Sequence, residues 1–158
     1  MAYPVGFTYI SGPMFVREFN LTSTATFKQN NPVVISGAGT IIESGGTTNT
    51  IAGFAVHDAA NSVPAGKVLV MIPAEGRTVF ASIVTTGVAA SALSSGATLG
   101  MAKSGNSWYA TGSPTTALFV VVPREDGSTI DSTDSSIFIQ VLGGVVRPFA
   151  QQSGSVTI

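Results

Sequence analysis

Three short apolar runs separated by turn residues dominate the middle of the chain, from Thr50 to Thr86. The runs are Ile51–Val56, Lys67–Ile72 and Val79–Val84, and each is rich in Val, Ile or Phe. Short runs of this composition, bounded by Gly, Pro, Asn and Asp, predict strands of an antiparallel sheet. The gap between the second run and the third has the length of a hairpin connection, so we expect these two strands to pair.

Alternation of apolar and polar residues marks a further segment, from Phe15 to Lys28. Phe15, Phe19 and Phe27 share one parity, which predicts a long half-buried strand or a bent pair of strands. Arg17 interrupts this apolar face, so we expect it at the edge of a sheet or beside a carboxylate.

The sequence after the central runs predicts a second hairpin. Residues 97–103 and 107–111 flank a Ser-Gly-Asn turn, which is typical of a hairpin with a short loop. Trp108 and Tyr109 should point to opposite faces of their strand, so that one enters the core and the other meets solvent or a partner.

The remaining patterns complete the fold class. Thr115–Val122 is a continuous apolar run, which predicts a strand covered on both faces. The best helical candidate is Gly87–Ser95, two turns at most. We therefore expect an all-β protein, a compact antiparallel β-barrel or sandwich with at most one short helix at 87–95 and an extended N-terminal arm.

The first residues mix aromatic side chains with Gly and Pro. A self-contained strand rarely carries two prolines, so we read residues 1–13 as an arm that covers a partner, or else as a terminal strand packed on its own domain. The chain divides into residues 1–32 (arm and first strands, contacting partner subunits), 33–142 (barrel or sandwich domain) and 143–158 (C-terminal tail). The partner-binding residues under this hypothesis are Tyr3, Phe7, Tyr9, Phe15 and Phe19.

Charge is sparse along the whole chain. Asp, Glu, Lys and Arg make up 9% of the 158 residues, against about 25% in an ordinary soluble domain. A surface so poor in charge is weakly protected against association, which is explained if partner chains cover it. The other explanation is a monomer coated with Ser and Thr.

The charges and apolar runs also exclude several partners. The formal net charge is -1 and the seven Lys and Arg are spread singly, so there is no basic patch for nucleic acid. The longest strongly apolar run, Ala117–Val122, is far too short to span a bilayer, and the first residues do not resemble a secretory signal. We expect neither a nucleic-acid nor a membrane partner.

No catalytic constellation is visible. His57 is the only histidine, and its neighbour Asp58 would point away from it on a strand, which does not suit a catalytic triad. The absence of Cys excludes disulfides and thiolate metal sites. The acidic loop between Asp126 and Asp134 is rich in oxygen ligands, but its spacing does not match an EF-hand, and calcium binding stays open. We expect no enzymatic activity and no cofactor.

Two phrases of the sequence resemble a known group of proteins. The phrase Ile51-Ala52-Gly53-Phe54-Ala55 is followed by Lys67-Val68-Leu69-Val70, and GATLGMAKSGNSWY later gives a Gly-led strand, a tight turn and a Trp. Together with the sparse charge, these phrases are similar to the small capsid decoration (cement) proteins of tailed bacteriophages. The resemblance covers residues 33–142.

The resemblance implies a role as well as a fold. It implies a structural virion protein on the capsid exterior, a homotrimer that binds the major capsid protein and stabilises the shell. The alternative is a β domain of a tail fibre, baseplate or adhesin that binds a host glycan or protein. That alternative needs an exposed aromatic site, for which Trp108 and Tyr109 are the compact candidates.

Overall fold

The computed structural model describes residues 6–21, 25–36, 39–45, 50–61, 66–84, 93–104, 107–112, 117–131 and 136–148. Over these ranges the protein is all-β, as the sequence predicts. It consists of a closed five-stranded barrel and a seven-stranded sheet. The predicted helix at 87–95 lies mostly outside the described residues.

The strands are short, as expected from the spacing of turn residues along the chain. In chain order they are β1 Phe7–Ser11, β2 Met14–Leu21, β3 Pro32–Ile35, β4 Thr40–Glu43, β5 Gly53–Ala55, β6 Lys67–Pro73, β7 Val79–Ile83, β8 Thr98–Ser104, β9 Ser107–Thr111, β10 Phe119–Val122, β11 Ile130–Asp131 and β12 Ser136–Val141. One short 3-10 helix, Ala59–Asn61, lies between β5 and β6.

The barrel closes in the order β2-β4-β3-β5-β6 and back to β2. β2 and β4 run parallel and pair at Asn20 with Thr40 and at Leu21 with Ile41, while the other neighbours are antiparallel. Its interior is filled by buried apolar side chains from every part of the barrel. These include Phe27, Val33, Ile41, Ala52, Ala55, Val68 and Val70.

The larger sheet follows the order β1-β7-β12-β10-β8-β9, with β11 paired to β12. It curls back on itself, because Val84 bridges Ala110 in parallel and the Ala110 N–H donates to the Ser82 hydroxyl at 3.1 Å. A second core fills the concave side. Its largest members are Phe7, Phe54, Phe80, Leu99, Trp108, Phe119, Ile137 and Ile139.

The barrel and the larger sheet share one strand order. The first half is the barrel, whose strands β2 to β6 count from first to fifth. The second half is the larger sheet, whose strands β7, β8, β9, β10 and β12 count in the same way. In each half the strands lie side by side in the order first, third, second, fourth, fifth, and the fifth strand pairs with the first to close the ring. In each half the first and third strands run parallel where they meet. The fold is therefore a structural duplication.

The predicted pairing of the second and third central runs is wrong. β6 belongs to the barrel and β7 to the larger sheet, so the segment between them crosses from one to the other. The hydroxyl of Thr78 accepts the Ala74 N–H at 2.8 Å and donates to the carbonyl of Pro13. This hydroxyl ties the crossing to the corner between β1 and β2, which makes the same change of sheet.

The predicted boundaries also differ from the observed ones. The barrel begins at Met14, because β2 is one of its strands, and not at residue 33. At the other end Val146 bridges Ile51, and the Glu75 carboxylate accepts the N–H of Val145 at 2.8 Å. Residues 143–148 are thus part of the fold, whereas 149–158 lie outside the described residues.

Two predictions about individual strands have different outcomes. The hairpin of β8 and β9 is confirmed, and Trp108 is fully buried while Tyr109 is half-buried. The strand predicted for 115–122 is not covered on both faces. Phe119 and Val121 are buried but Val120 is partly exposed, because β10 lies on one wall of the curled sheet.

Candidate interaction surface

Exposed apolar side chains are concentrated in one part of the molecule. Among the described residues, the large hydrophobic side chains that are exposed are Tyr9 at 38%, Phe15 at 69% and Val16 at 53%. All three belong to β1 and β2. This is the segment that the sequence predicts to contact a partner.

The exposure of Phe15 and Val16 is explained by how β2 is paired. β2 runs beside β6 along nearly its whole length, from Met14 opposite Pro73 to Asn20 opposite Lys67. On its other side it meets β4 only at its last residues. Over Met14–Phe19 that other side carries no strand among the described residues, and we call this stretch the open edge of β2.

Backbone groups on the open edge point outward at alternate residues. The Leu21 N–H donates to the Gly66 carbonyl at 2.9 Å, so Leu21 faces the β6 side. Orientation alternates along an antiparallel strand, so Val16 and Glu18 direct their N–H and C=O groups away from β6. Such a row of unpaired backbone groups is a template for adding a strand.

The residues along the open edge have both apolar and charged character. Phe15, Val16, Arg17 and Glu18 are all exposed. The Arg17 guanidinium lies 5.1 Å from the centroid of the Phe19 ring, a cation–π contact, and it forms no ion pair with a carboxylate of the described residues. Arg17 is at a sheet edge, which is one of the two positions the sequence predicts for it.

The expected partner-binding residues have different surroundings. Phe7 is fully buried, with ring centroids of Phe54 and Phe119 at 5.2 and 5.0 Å. The hypothesis is wrong for Phe7, because β1 pairs with β7 of the same chain and turns this ring into the core. This is the alternative of a terminal strand packed on its own domain. Tyr3 lies outside the described residues.

Tyr9 and Phe19 are intermediate cases. The Tyr9 ring meets Phe80 edge-on at 6.3 Å, and its hydroxyl donates to the Gly12 carbonyl at 2.7 Å, so one face of the ring is fixed and the rest is exposed. Phe19 is partly buried and packs on the barrel core. Of the four expected residues that the structure describes, Phe15 therefore has the most exposed side chain.

No protein-family model, curated protein or solved structure matches this chain.

Sequence reasoning missed Val16 and the open edge. The alternation starting at Phe15 places Val16 on the polar face, although Met14, Phe15 and Val16 are three apolar residues in succession. That break in alternation, with Arg17 and Glu18 directly after it, was the available signal. It indicates a stretch of strand that is exposed on both faces.

The lone histidine has a structural role. The His57 Nε2 accepts the N–H of Leu69 at 3.3 Å, so Nδ1 carries the proton and donates to the Asp58 carbonyl at 2.9 Å. The Asp58 carboxylate accepts the N–H of Gln29 at 2.8 Å and lies 3.8 Å from the Lys28 ammonium. The Asp58 carboxylate holds the segment before β3 against the segment that follows β5, and His57 ties that same segment to β6.

A polar cluster around Glu43 joins the two halves of the molecule. The Trp108 indole donates to Glu43 Oε1 at 2.8 Å, and the Lys103 ammonium lies 2.7 Å from the same oxygen. The Asn31 amide donates to that oxygen at 3.5 Å. Because Trp108 is fully buried, it is not available as the exposed aromatic platform that glycan binding needs.

The acidic loop is organised by its own hydrogen bonds. Asp126 Oδ1 accepts the Ser128 hydroxyl at 2.6 Å and the Ser128 N–H at 2.9 Å. These two hydrogen bonds hold the pKa of Asp126 below its ordinary value of 3.8, and the bond from the Ser128 hydroxyl has the larger effect.

Asp134 lies outside the described residues, and the described residues contain no cluster of three His, Cys, Asp or Glu that could hold a metal ion. Nor does the described part of the chain contain a helix long and apolar enough to cross a membrane.

Proposed function

We propose that this chain is a structural virion protein that binds the outer surface of a phage capsid and stabilises the shell, as a decoration protein without enzymatic activity. Its partner is the major capsid protein, and its location is the capsid exterior. The observation that carries the proposal is the concentration of exposed apolar side chains on β1 and β2, in a chain with only 9% charged residues.

The exposed side chains suit a protein that works by association. Burial of apolar surface contributes about 25 cal/mol per Å², and aromatic residues are enriched in the cores of protein interfaces. A surface centred on Phe15 and Val16 supplies such an anchor without long-range charge. Each contact is weak by itself, but a chain that engages several subunits of a shell gains strength through effective concentration.

The rival proposal, a glycan-binding fibre or adhesin domain, has less support. Its compact aromatic candidates were Trp108 and Tyr109, and the first is fully buried while the second is half-buried. The exposed aromatic residues are on a strand edge instead, which suits a protein partner better than a sugar ring.

The proposal is tested by gradient sedimentation of a lysate of the native source, with this chain quantified in every fraction. We expect it to travel with particles of capsid size, in an amount comparable to that of the major capsid protein. A chain that stays at the top of the gradient contradicts the proposal, and a few copies per particle would favour the fibre alternative.

The surface itself is tested with a pair of variants. Phe15→Ser removes the aromatic side chain that is most exposed in the described part of the chain and should release the protein from particles, whereas Glu125→Ser alters an exposed loop residue far along the chain and should not. Because the neighbouring charges of Arg17 and Glu18 cancel and the chain as a whole has few charged residues, molar salt should leave binding of the unaltered chain nearly unchanged. Release by salt would contradict an apolar interface.

A further inference from the structure

The duplicated strand order shows what an occupied edge looks like. β7 is the counterpart of β2, and each is antiparallel to the fifth strand of its half on one side. On the other side of β7, Val79–Ser82 pairs with β1, ahead of the parallel contact at Val84. The corresponding stretch of β2 is its open edge, ahead of the parallel contact at Asn20.

The first half thus has a free position where the second half holds an antiparallel strand. β1 cannot fill both positions, because it is already paired with β7 of its own chain. Among the described residues no other strand lies at the open edge. A segment that fills this position would be extended and would come from outside this set of strands.

We propose that β2 of a second copy of this chain occupies the open edge, antiparallel and around a two-fold axis, with Val16 of each copy at the axis. This inference goes beyond the proposed function and does not depend on it. It assigns the open edge of β2 to self-association, and it predicts a dimer contact where the family resemblance implies a trimer.

The register is limited by the direction of the backbone groups. Only even-numbered residues direct N–H and C=O outward, so a symmetric ladder must pair even residues with even residues. Pairing Val16 with Glu18 of the second copy brings the two Arg17 side chains opposite each other. Pairing Glu18 with itself brings two carboxylates together. Like charges directly opposite destabilise a sheet, so both registers are disfavoured.

The register centred on Val16 has complementary side chains. It places Arg17 opposite Phe15 of the second copy, while Arg17 already lies 5.1 Å from its own Phe19 ring. The guanidinium is then held between two aromatic rings, an arrangement that favours cation–π attraction. On the other face the two Val16 side chains meet, so the exposed Val16 of each copy is covered.

The ends of the ladder also fit. In this register Met14–Glu18 of one copy pairs with Met14–Glu18 of the other. Asn20 of the second copy, where its β4 joins, falls opposite Gly12. There the first chain is no longer in β2, which begins at Met14, so the ladder ends before it reaches the β4 contact of the second copy.

The first test is sedimentation velocity of the purified full chain over a range of concentrations. We expect the weight-average mass to rise from 16.0 kDa toward twice that value. Val16→Pro removes the outward N–H at the axis but no hydrogen bond to β6, so it should keep its circular dichroism spectrum and remain monomeric. Val16→Thr keeps the N–H and should still associate. A chain that is monomeric throughout, or a Val16→Pro variant that associates like the wild type, overturns the inference.

The second test uses the absence of cysteine from this chain. Opposed residues of a hydrogen-bonded antiparallel pair have Cα atoms about 5.5 Å apart, within the range that a disulfide spans. Mild oxidation of Val16→Cys should therefore give a covalent dimer in high yield, and Glu125→Cys, on an exposed loop, should not. A trimer that Val16→Cys does not cross-link overturns the inference. A cross-linked chain that never sediments with particles contradicts only the proposed function.

Discussion

The indole N–H of Trp108 donates a 2.8 Å hydrogen bond to the carboxylate of Glu43, and this bond connects β9 of the larger sheet to β4 of the barrel. Both residues lie on the third strand of their half. The same carboxylate oxygen is paired with Lys103 at 2.7 Å. One carboxylate therefore satisfies a fully buried donor and joins the two halves.

We predict that Glu43→Ala lowers the free energy of unfolding by about 2 kcal/mol, because a buried donor left unsatisfied costs about 1–3 kcal/mol. The change is measured by denaturant unfolding followed by fluorescence, which reports on this contact because Trp108 is the only Trp in the chain. Glu43→Gln keeps an acceptor and should lose less than half as much. Equal losses for the two variants would mean that the charge pair with Lys103 dominates.

Strand positions were largely predictable because they depend on local sequence. Turn residues bound most of the strands, and the β8–β9 hairpin is joined by a short loop, so its pairing is set by its own sequence. The pairing of β6 and β7 was predicted wrongly, because the choice of partner strand is not local. The chain changes sheet between Pro73 and Val79, and the contact found at this crossing is a hydrogen bond from Thr78 to Pro13, 65 residues away in the sequence.

The candidate surface was predictable only in outline. Aromatic residues near the start of the chain pointed to a partner-binding segment, and Phe15 is indeed exposed. Phe7 looks the same in sequence but is buried, since its position depends on β1 pairing with β7, more than sixty residues away. The open edge itself results from a strand order that no local pattern contains.

The corner between β1 and β2 depends on a close backbone approach at Gly12. Gly12 has φ +96°, and a Cβ added there would lie 2.5 Å from the carbonyl oxygen of Arg77. We predict that Gly12→Ala lowers the free energy of unfolding by more than about 2 kcal/mol, the sum of backbone strain of about 1–2 kcal/mol and this clash. Thermal unfolding of purified protein measures the loss.

Gly76 is the matched control for this prediction. It has φ +71°, but an added Cβ would meet nothing within 4 Å. Gly76→Ala therefore carries the backbone strain alone and should lose about 1 kcal/mol. If the two variants lose the same amount, the contact with Arg77 is relieved by a small shift of the corner, and it does not constrain the fold.

The acidic loop should show a measurable pH effect. The pKa of Asp126 lies below its ordinary value of 3.8, mainly because of the Ser128 hydroxyl. A carboxylate with a lowered pKa stabilises the fold above its unfolded-state pKa, and this contribution is lost as the pH falls below 3.8 through the folded-state pKa. We predict that Ser128→Ala raises the pKa of Asp126, as measured by NMR titration, whereas Ser128→Thr keeps it low. An unchanged titration in Ser128→Ala would assign the shift to the backbone N–H.

The last prediction separates the two aromatic residues that the sequence could not distinguish. Phe7 is fully buried among aromatic rings and Phe15 is 69% exposed, although both lie in the segment read as an arm. Phe7→Ala should lower the free energy of unfolding by about 3–5 kcal/mol, as expected for a large cavity in a core. Phe15→Ala should change it by less than about 0.5 kcal/mol, as expected for an exposed side chain.

For self-association we expect the reverse: a change at Phe15 should weaken it, and a change at Phe7 should not. Phe7→Leu, which keeps most of the buried volume, should dimerise like the wild type, whereas Phe15→Ala should shift the dimerisation midpoint to higher concentration because it removes the ring opposite Arg17 of the second copy. Urea unfolding and sedimentation velocity on one set of proteins give both results. A large stability loss for Phe15→Ala would place that ring in the folding core, and unchanged dimerisation would remove it from the interface.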